Sequence, residues 1–332
     1  MTAGFGQLLG RLGAPGDGGF HVLQVPGLPG YYAGRDREGG ATLLVRAAGT
    51  SRTVPLVLAG LAASFDVPCR IQEPGGAERV ERLTSVTCRS SDPAIEAYFA
   101  GVVEIMISML GPLPAAQAVS DALSQLADLF QKLRSPSRRP VTGLVGELLI
   151  ISAARDPIAA VDAWRTDPDE RYDFAAGSLR LEAKASATRT RLHSLSLEQA
   201  NPAPGSVGYL ASVLVEQMAG GTSLSELIDT ISGRLATPRV TMRLQSIIAE
   251  TLGQDLAGAM SWRFDLALAA SSLQFYDLKE IPALRDRPPP GVTGVRFTSD
   301  LAASQPLGAA DYERLEPLAR LLLPALGTTR RS

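Results

Sequence analysis

Three of the 32 basic residues in this 332-residue chain are lysines, which leaves 29 arginines. One of them, Lys184, sits in Leu181-Glu182-Ala183-Lys184-Ala185, with Asp173 upstream in Arg171-Tyr172-Asp173-Phe174. An ammonium is a compact point charge whose pKa shifts readily, whereas a guanidinium is a wide fork that stays charged. A chain that writes nearly every positive charge as arginine has put a lysine where an aspartate and a glutamate converge. Asp…Glu-x-Lys is the minimal set for metal-dependent phosphodiester cleavage. Two carboxylates can hold a divalent cation, and the ammonium can hold a water or a developing negative charge.

The elements around these residues must bring them together. Residues 178–184 read as a strand, and side chains along a strand alternate faces. Leu179, Leu181 and Ala183 then point inward, while Arg180, Glu182 and Lys184 share the other face. Ala175-Ala176-Gly177-Ser178 reads as a tight hairpin turn. Centred on Ala176-Gly177, it sets Asp173 opposite Arg180 and makes Glu182 its diagonal neighbour, about 7–8 Å away. A third acid, Glu147, lies in Val141-Thr142-Gly143-Leu144-Val145-Gly146-Glu147-Leu148-Leu149, a helix that is apolar almost all round. A lone buried carboxylate is costly unless paired or metal-bound, which makes Glu147 a further ligand, direct or through water. Gly143 and Gly146 weaken this helix but would let it approach a sheet closely.

Short β-prone runs separated by turns fill residues 20–90: Phe20–Val25, Ala41–Val45, Val54–Leu58 and Thr84–Cys88, with turns such as Pro74-Gly75-Gly76. Helices are expected over 94–110, opened by Asp92-Pro93, and over 114–133. Arg134-Ser135-Pro136-Ser137-Arg138-Arg139-Pro140 reads as a linker whose three arginines could touch phosphates. Beyond it the order is α/β: helices at 141–153 and from Asp156-Pro157, and strands near 172–175, 178–185 and 189–195. An extended run follows at 207–217, with helices at 223–235 and 239–253. Strands near 262–270, 272–277 and 292–297 and a helix near 310–323 complete it. The domains expected are a loose terminus at 1–18, a β-rich part with two helices at 19–135, and the catalytic part at 136–332.

Composition narrows the classes. Hydrophobic residues make up 45%, charged residues 20%, and the net charge is −2, so any nucleic-acid surface must be local. Cys69 and Cys88 have no metal-ligand spacing and read as buried free thiols. With His21 and His193 the only histidines, a Cys/His zinc site is nearly excluded and a Ser-His-Asp triad has few candidates. No Gly-Lys-Ser/Thr loop marks a nucleotide phosphate site. No signal core or apolar run of about 18 residues is read, so the expectation is a cytoplasmic protein without a membrane span.

At these residues the chain resembles the PD-(D/E)XK nuclease superfamily. Gly143–Leu149, Trp164, Tyr172-Asp173-Phe174, Leu181–Ser186 and Glu198-Gln199 look, in that order, like an uncharacterised bacterial branch of it associated with restriction and phage defence. Tyr172 stands where the name-giving proline would be. The resemblance implies an α/β (α+β) fold with a restriction-endonuclease-like core: αβββαβ, a mixed central sheet flanked by helices, with the β-rich part in front. It carries over Glu147, Asp173, Glu182 and Lys184 as the catalytic set. Asp173, Glu182, Glu147 and the Ala183 carbonyl would bind Mg²⁺, for which Mn²⁺ could substitute. Gln199 would support them. The implied partners are DNA, a second copy of the chain, and defence-system proteins. A non-cleaving DNA-binding or assembly subunit of a defence complex is the rival reading.

Other features compete for attention. Asp277-Leu278-Lys279, with Asp265 upstream, also matches acidic-x-Lys but lacks a preceding helix with a buried glutamate. Arg189, Arg191 and His193 share a strand face and could line a phosphate groove, although a solvated edge explains them nearly as well. Trp164 follows an apolar helix and reads as core rather than as a base-stacking platform.

Overall fold

The computed structural model describes residues 4–14, 19–49, 54–58, 60–72, 78–166, 170–286 and 288–324. The turn expected at Pro74–Gly76 lies outside them. The chain forms two compact units, residues 1–138 with 241–258 and residues 139–240 with 259–332. Residues 241–258, read from the sequence as part of the C-terminal domain, thus belong to the first unit. There Lys132 Nζ bonds Glu250 at 3.1 Å and Ser246 at 2.9 Å, and the Tyr98 hydroxyl donates to the Gln245 carbonyl at 2.9 Å. Periodicity shows which face of a helix is apolar, not which core that face enters.

In the first unit, six strands among the described residues form one antiparallel sheet. Their order is His21–Gln24, Tyr31–Arg35, Ala41–Val45, Glu78–Cys88, Leu61–Gln72 and Leu56–Val57. Ala41–Val45 is buried throughout. Two strands escape the sequence pattern. Tyr31–Arg35 contains Gly34, where an added Cβ would meet Leu44 at 3.0 Å and Val22 at 3.1 Å. Leu61–Gln72 contains Pro68 and a register shift between Ser64 and Val67, with Asp66 at φ +50°.

The helices Pro93–Leu110 and Ala116–Lys132 follow the sheet in sequence. Asp92 caps the former by accepting from the Ala94 amide at 2.8 Å. By length and composition this helix could cross a membrane, contrary to the expectation of no such run. Its Tyr98, Phe99, Val102, Val103, Met106 and Ile107 are instead buried in the first unit, the arrangement of a core helix. Phe99 meets Phe5 and Phe130 edge-on at 6.5 and 6.1 Å. Phe5 belongs to a short helix, Phe5–Leu9, with Leu8 and Leu9 also buried. The expectation of a loose terminus at 1–18 is corrected for these residues, because Phe5, Leu8 and Leu9 fall at helical spacing inside a glycine-rich stretch, while 1–3 and 15–18 lie outside the described residues.

The second unit is built on a four-stranded mixed sheet in the order Gln274–Asp277, Val207–Leu214, Leu179–Ser186 and Phe174–Ala176. The central pair is parallel and the outer pairs are antiparallel. Strand Leu192–Ser196 and the short helix Leu197–Ala200 lie in the crossover between the parallel strands. The order of helix, three strands, helix and strand is the expected mixed α+β arrangement.

Helix Val141–Ala153 lies against this sheet at Gly146, where a Cβ would come 2.9 Å from Ala185 Cβ and 3.3 Å from Val213 Cγ1. Gly143 has nothing within 4 Å, so only Gly146 serves the close approach. The hairpin turns one residue later than expected. Phe174 pairs with Leu181, Ala175 with Arg180 and Ala176 with Leu179, and Gly177 takes φ +54°. Continuing that count brings position 173 level with Glu182 rather than Arg180.

Two further expectations change. Over 262–270 only Arg263–Phe264 is strand. Leu266–Ser272 is a helix capped by Asp265, which accepts from the Leu268 amide at 2.9 Å. The C-terminal helix divides into Ala309–Tyr312 and Pro317–Leu322, because Pro317 starts a new helix.

Candidate active site

Glu147, Asp173 and Glu182 are each 3% exposed or less, inside the second unit. Glu147 comes from the helix on the sheet, Asp173 from the residue before a strand, and Glu182 and Lys184 from the next strand. The shifted hairpin turn brings Asp173 to the Glu182 strand: its Oδ2 accepts from the Ala183 amide at 3.0 Å. Lys184 Nζ lies 2.7 Å from Glu182 Oε1, and Gln199 Nε2 donates to the same oxygen at 2.7 Å.

Gln199 is fixed from several sides. It completes a capping box with Ser196 and donates to the Arg171 carbonyl at 3.2 Å. The Tyr172 hydroxyl donates to the carbonyls of Glu198 and Gln199 at 2.9 and 3.1 Å. The residue beside Asp173 thereby anchors the residue that holds Glu182.

Glu147 is bound on both oxygens. Trp164 Nε1 donates to Oε2 at 2.5 Å, and Arg165 Nη2 donates to Oε1 at 2.8 Å. Arg139 Nη1 lies 3.5 Å from that same Oε1 and pairs directly with Asp173 Oδ1. Arg165 adopts φ +45° and sets its guanidinium 5.4 Å from the Trp164 ring centroid.

The electrostatics follow from burial. Burial, reinforced by the negative charge of Asp173, pushes the Glu182 carboxyl up to about 8, with Lys184 pulling the other way. The same two causes push Glu147 up to about 7 against the opposing charges of Arg165 and Arg139. Buried acids held this close tend to keep a proton unless a cation joins them.

Among the described residues, no three His, Cys, Asp or Glu side chains are set together as a preformed metal cage. The donor chemistry nevertheless suits a hard divalent ion. Glu182 Oε2 is buried without a hydrogen-bond partner, and an oxygen of that kind is expensive to leave unpaired. Mg²⁺ is commonly bound through one or two carboxylates and keeps several waters. Glu182 fits that demand with a free oxygen, while Asp173 and Glu147 each have both oxygens engaged, Asp173 with the Ala183 amide and the Arg139 guanidinium and Glu147 with Trp164 and Arg165.

The remaining candidates separate. Arg189 is exposed and pairs with Glu216 at 2.8 Å. Arg191 bonds the Ser212 carbonyl and hydroxyl at 2.9 and 2.7 Å and the Ser272 carbonyl. His193 is 3% exposed and lies 2.7 Å from Ser212 Oγ. Of the three residues that could have lined a phosphate groove or a solvated edge, Arg189 alone is exposed, while Arg191 and His193 are turned into the protein. Asp277, of the second acidic-x-Lys sequence, accepts from the Lys279 amide at 2.8 Å, while Asp265 caps a helix.

Two side chains that hold the acids escape a reading of the sequence in that role: Arg139, read there only as one of three linker arginines that could touch phosphates, and Arg165. Trp164 reads there as core without a polar role. The available signal is Glu147 itself: a carboxylate in an apolar helix needs cationic or N–H partners, and Arg139, Trp164 and Arg165 are near it in sequence.

No curated protein and no solved structure matches the chain. The family model described as "Putative PD-(D/E)XK family member (DUF4420)" matches residues 30–302. That match spans five of the six strands of the first unit's sheet, the Glu147 helix, Asp173 and the strand bearing Glu182 and Lys184, and the chain belongs to this PD-(D/E)XK family.

Proposed function

We propose that the protein is a metal-dependent endonuclease that hydrolyses DNA phosphodiesters. The observation that carries this reading is the unpartnered Glu182 Oε2, buried beside Lys184 and close to Asp173. Asp173 and Glu182 would hold Mg²⁺, or Mn²⁺ in its place, and the Ala183 carbonyl would offer a further oxygen. A divalent ion bound there would supply Lewis acidity to the phosphodiester and lower the pKa of a bound water.

The chain's own residues do the positioning. Lys184 donates a hydrogen bond to the attacking water and stabilises the negative charge that grows on the phosphate oxygens. Gln199 fixes the Glu182 carboxylate so that Oε2 stays free for the ion. Glu147, locked by Trp164 and Arg165, supports the site from the helix side. Membership of the PD-(D/E)XK family supports a nuclease rather than another hydrolase.

Plasmid nicking with Mg²⁺ or Mn²⁺, comparing wild type with Lys184→Ala, tests the reading. Nicking by wild type that is lost in Lys184→Ala supports the enzyme. DNA binding without cleavage at any metal concentration would instead identify a non-cleaving subunit that retains the fold.

A further inference from the structure

Asp173 has two carboxylate oxygens, and one is committed to the Ala183 amide at 3.0 Å. The other, Oδ1, is held by the Arg139 guanidinium. The same Nη1 lies 3.5 Å from Glu147 Oε1, and the charges of Asp173, Glu147 and Glu182 all act on Arg139. Two buried acids therefore meet one guanidinium, and the charge of a third, Glu182, also acts on it. Its own side chain is 47% exposed, against 3% for Asp173, so the charged head reaches inward from a solvated position. The oxygen that Arg139 occupies is the one Asp173 would turn to a divalent ion, and two cations cannot share it closely.

We propose that Arg139 is a place-holding cation, which neutralises Asp173 in the metal-free protein and yields Oδ1 to the incoming divalent ion. This inference rests on the metal site of the nuclease reading. Without a cation, Asp173 would be a buried charge facing two other acids, an arrangement that strongly destabilises a fold. With Arg139 in place the metal-free form is stable, and every ion that binds must first displace a guanidinium. Exposure at the outer end of Arg139 gives the released side chain water to enter. Arg139 is thus a positioning residue whose removal should strengthen metal binding while lowering the stability of the metal-free form.

The test is calorimetric titration of the full chain with MnCl2, paired with thermal melting of the metal-free protein, for wild type, Arg139→Ala and Arg139→Lys. Arg139→Ala is expected to bind Mn²⁺ more tightly, by roughly 5–150-fold, the usual range of coupling between two sites. Its metal-free melting temperature should fall and recover on adding Mn²⁺. Arg139→Lys keeps the charge but loses the fork and should fall between the two. If wild type binds Mn²⁺ and Arg139→Ala binds it equally or more weakly, the place-holder is overturned and the metal site stands. If wild type and variants alike bind no Mn²⁺, both readings fall. Should Arg139→Ala not fold, Arg139→Gln carries the same comparison, with the same outcomes supporting or overturning the proposal.

Discussion

Trp164 Nε1 donates to Glu147 Oε2 at 2.5 Å, joining a fully buried indole to a fully buried carboxylate. The bond turns a core aromatic into the clamp that orients the helix acid. Trp164→Phe keeps most of the ring and removes the donor, leaving a buried acceptor short of a partner. The expected loss is about 1–3 kcal/mol in urea unfolding. A variant as stable as wild type would show that the bond carries little weight.

Gln199 is predicted to matter through Glu182 rather than through substrate. Gln199→Leu should lower metal affinity or cleavage by roughly 10–100-fold, the usual cost of removing a group that orients a metal ligand. Gln199→Glu should be worse, because it brings another acid against a carboxylate already pushed up to about 8. Metal titration beside cleavage assays checks both; unchanged affinity and rate in Gln199→Leu would remove Gln199 from the site.

The two glycines of the Glu147 helix should behave oppositely. At Gly146 an added methyl meets Ala185 Cβ at 2.9 Å and Val213 at 3.3 Å, so Gly146→Ala should cost about 1–3 kcal/mol through overpacking. At Gly143 nothing lies within 4 Å, and Gly143→Ala should stabilise the helix by up to about 1 kcal/mol. Thermal or urea melting of the pair checks the sheet contact directly, and equal effects at the two positions would contradict it.

One part of this site is legible in the sequence and another is hidden. Glu182 and Lys184 are two apart on a strand, so their adjacency follows from alternation alone. The hairpin pattern also brings Asp173 near them, but with the turn centred one residue early, because Ala176-Gly177 and Gly177-Ser178 are both plausible turn pairs. Arg139 and Arg165 stay hidden because partner choice depends on tertiary distance, and 29 arginines offer no contrast. The run Leu266-Ala267-Leu268-Ala269 alternates like a strand, yet the Asp265 cap and strong helix formers prevail. The Leu61–Gln72 strand is obscured by Pro68 and by the irregular register around Asp66.

His193 yields a pH prediction. Burial first, then the charges of Lys184 and Arg191, holds its imidazole down to about 4, against an ordinary value of 6.5. The folded state therefore binds fewer protons than the unfolded state between those values, and stability falls with acid across that window. The neutral-imidazole contribution is complete above pH 6.5 and is lost as the pH drops through 4, with a slope of about 1.4 kcal/mol for each tenfold rise in proton concentration. His193→Asn should lose distinctly less stability than wild type between about pH 7 and pH 4. Parallel acid dependence in the two proteins would contradict the buried neutral imidazole.

The most direct test of the central claim is single-turnover cleavage of supercoiled plasmid in Mg²⁺ by wild type and Glu182→Gln. The exchange keeps the size of the side chain and removes its charge. Wild-type nicking that stops with chelator and falls at least about 100-fold in Glu182→Gln, with both proteins folded, is the predicted result. Equal nicking by the two proteins would contradict the account that Asp173, Glu182 and Lys184 make one metal-dependent hydrolytic site.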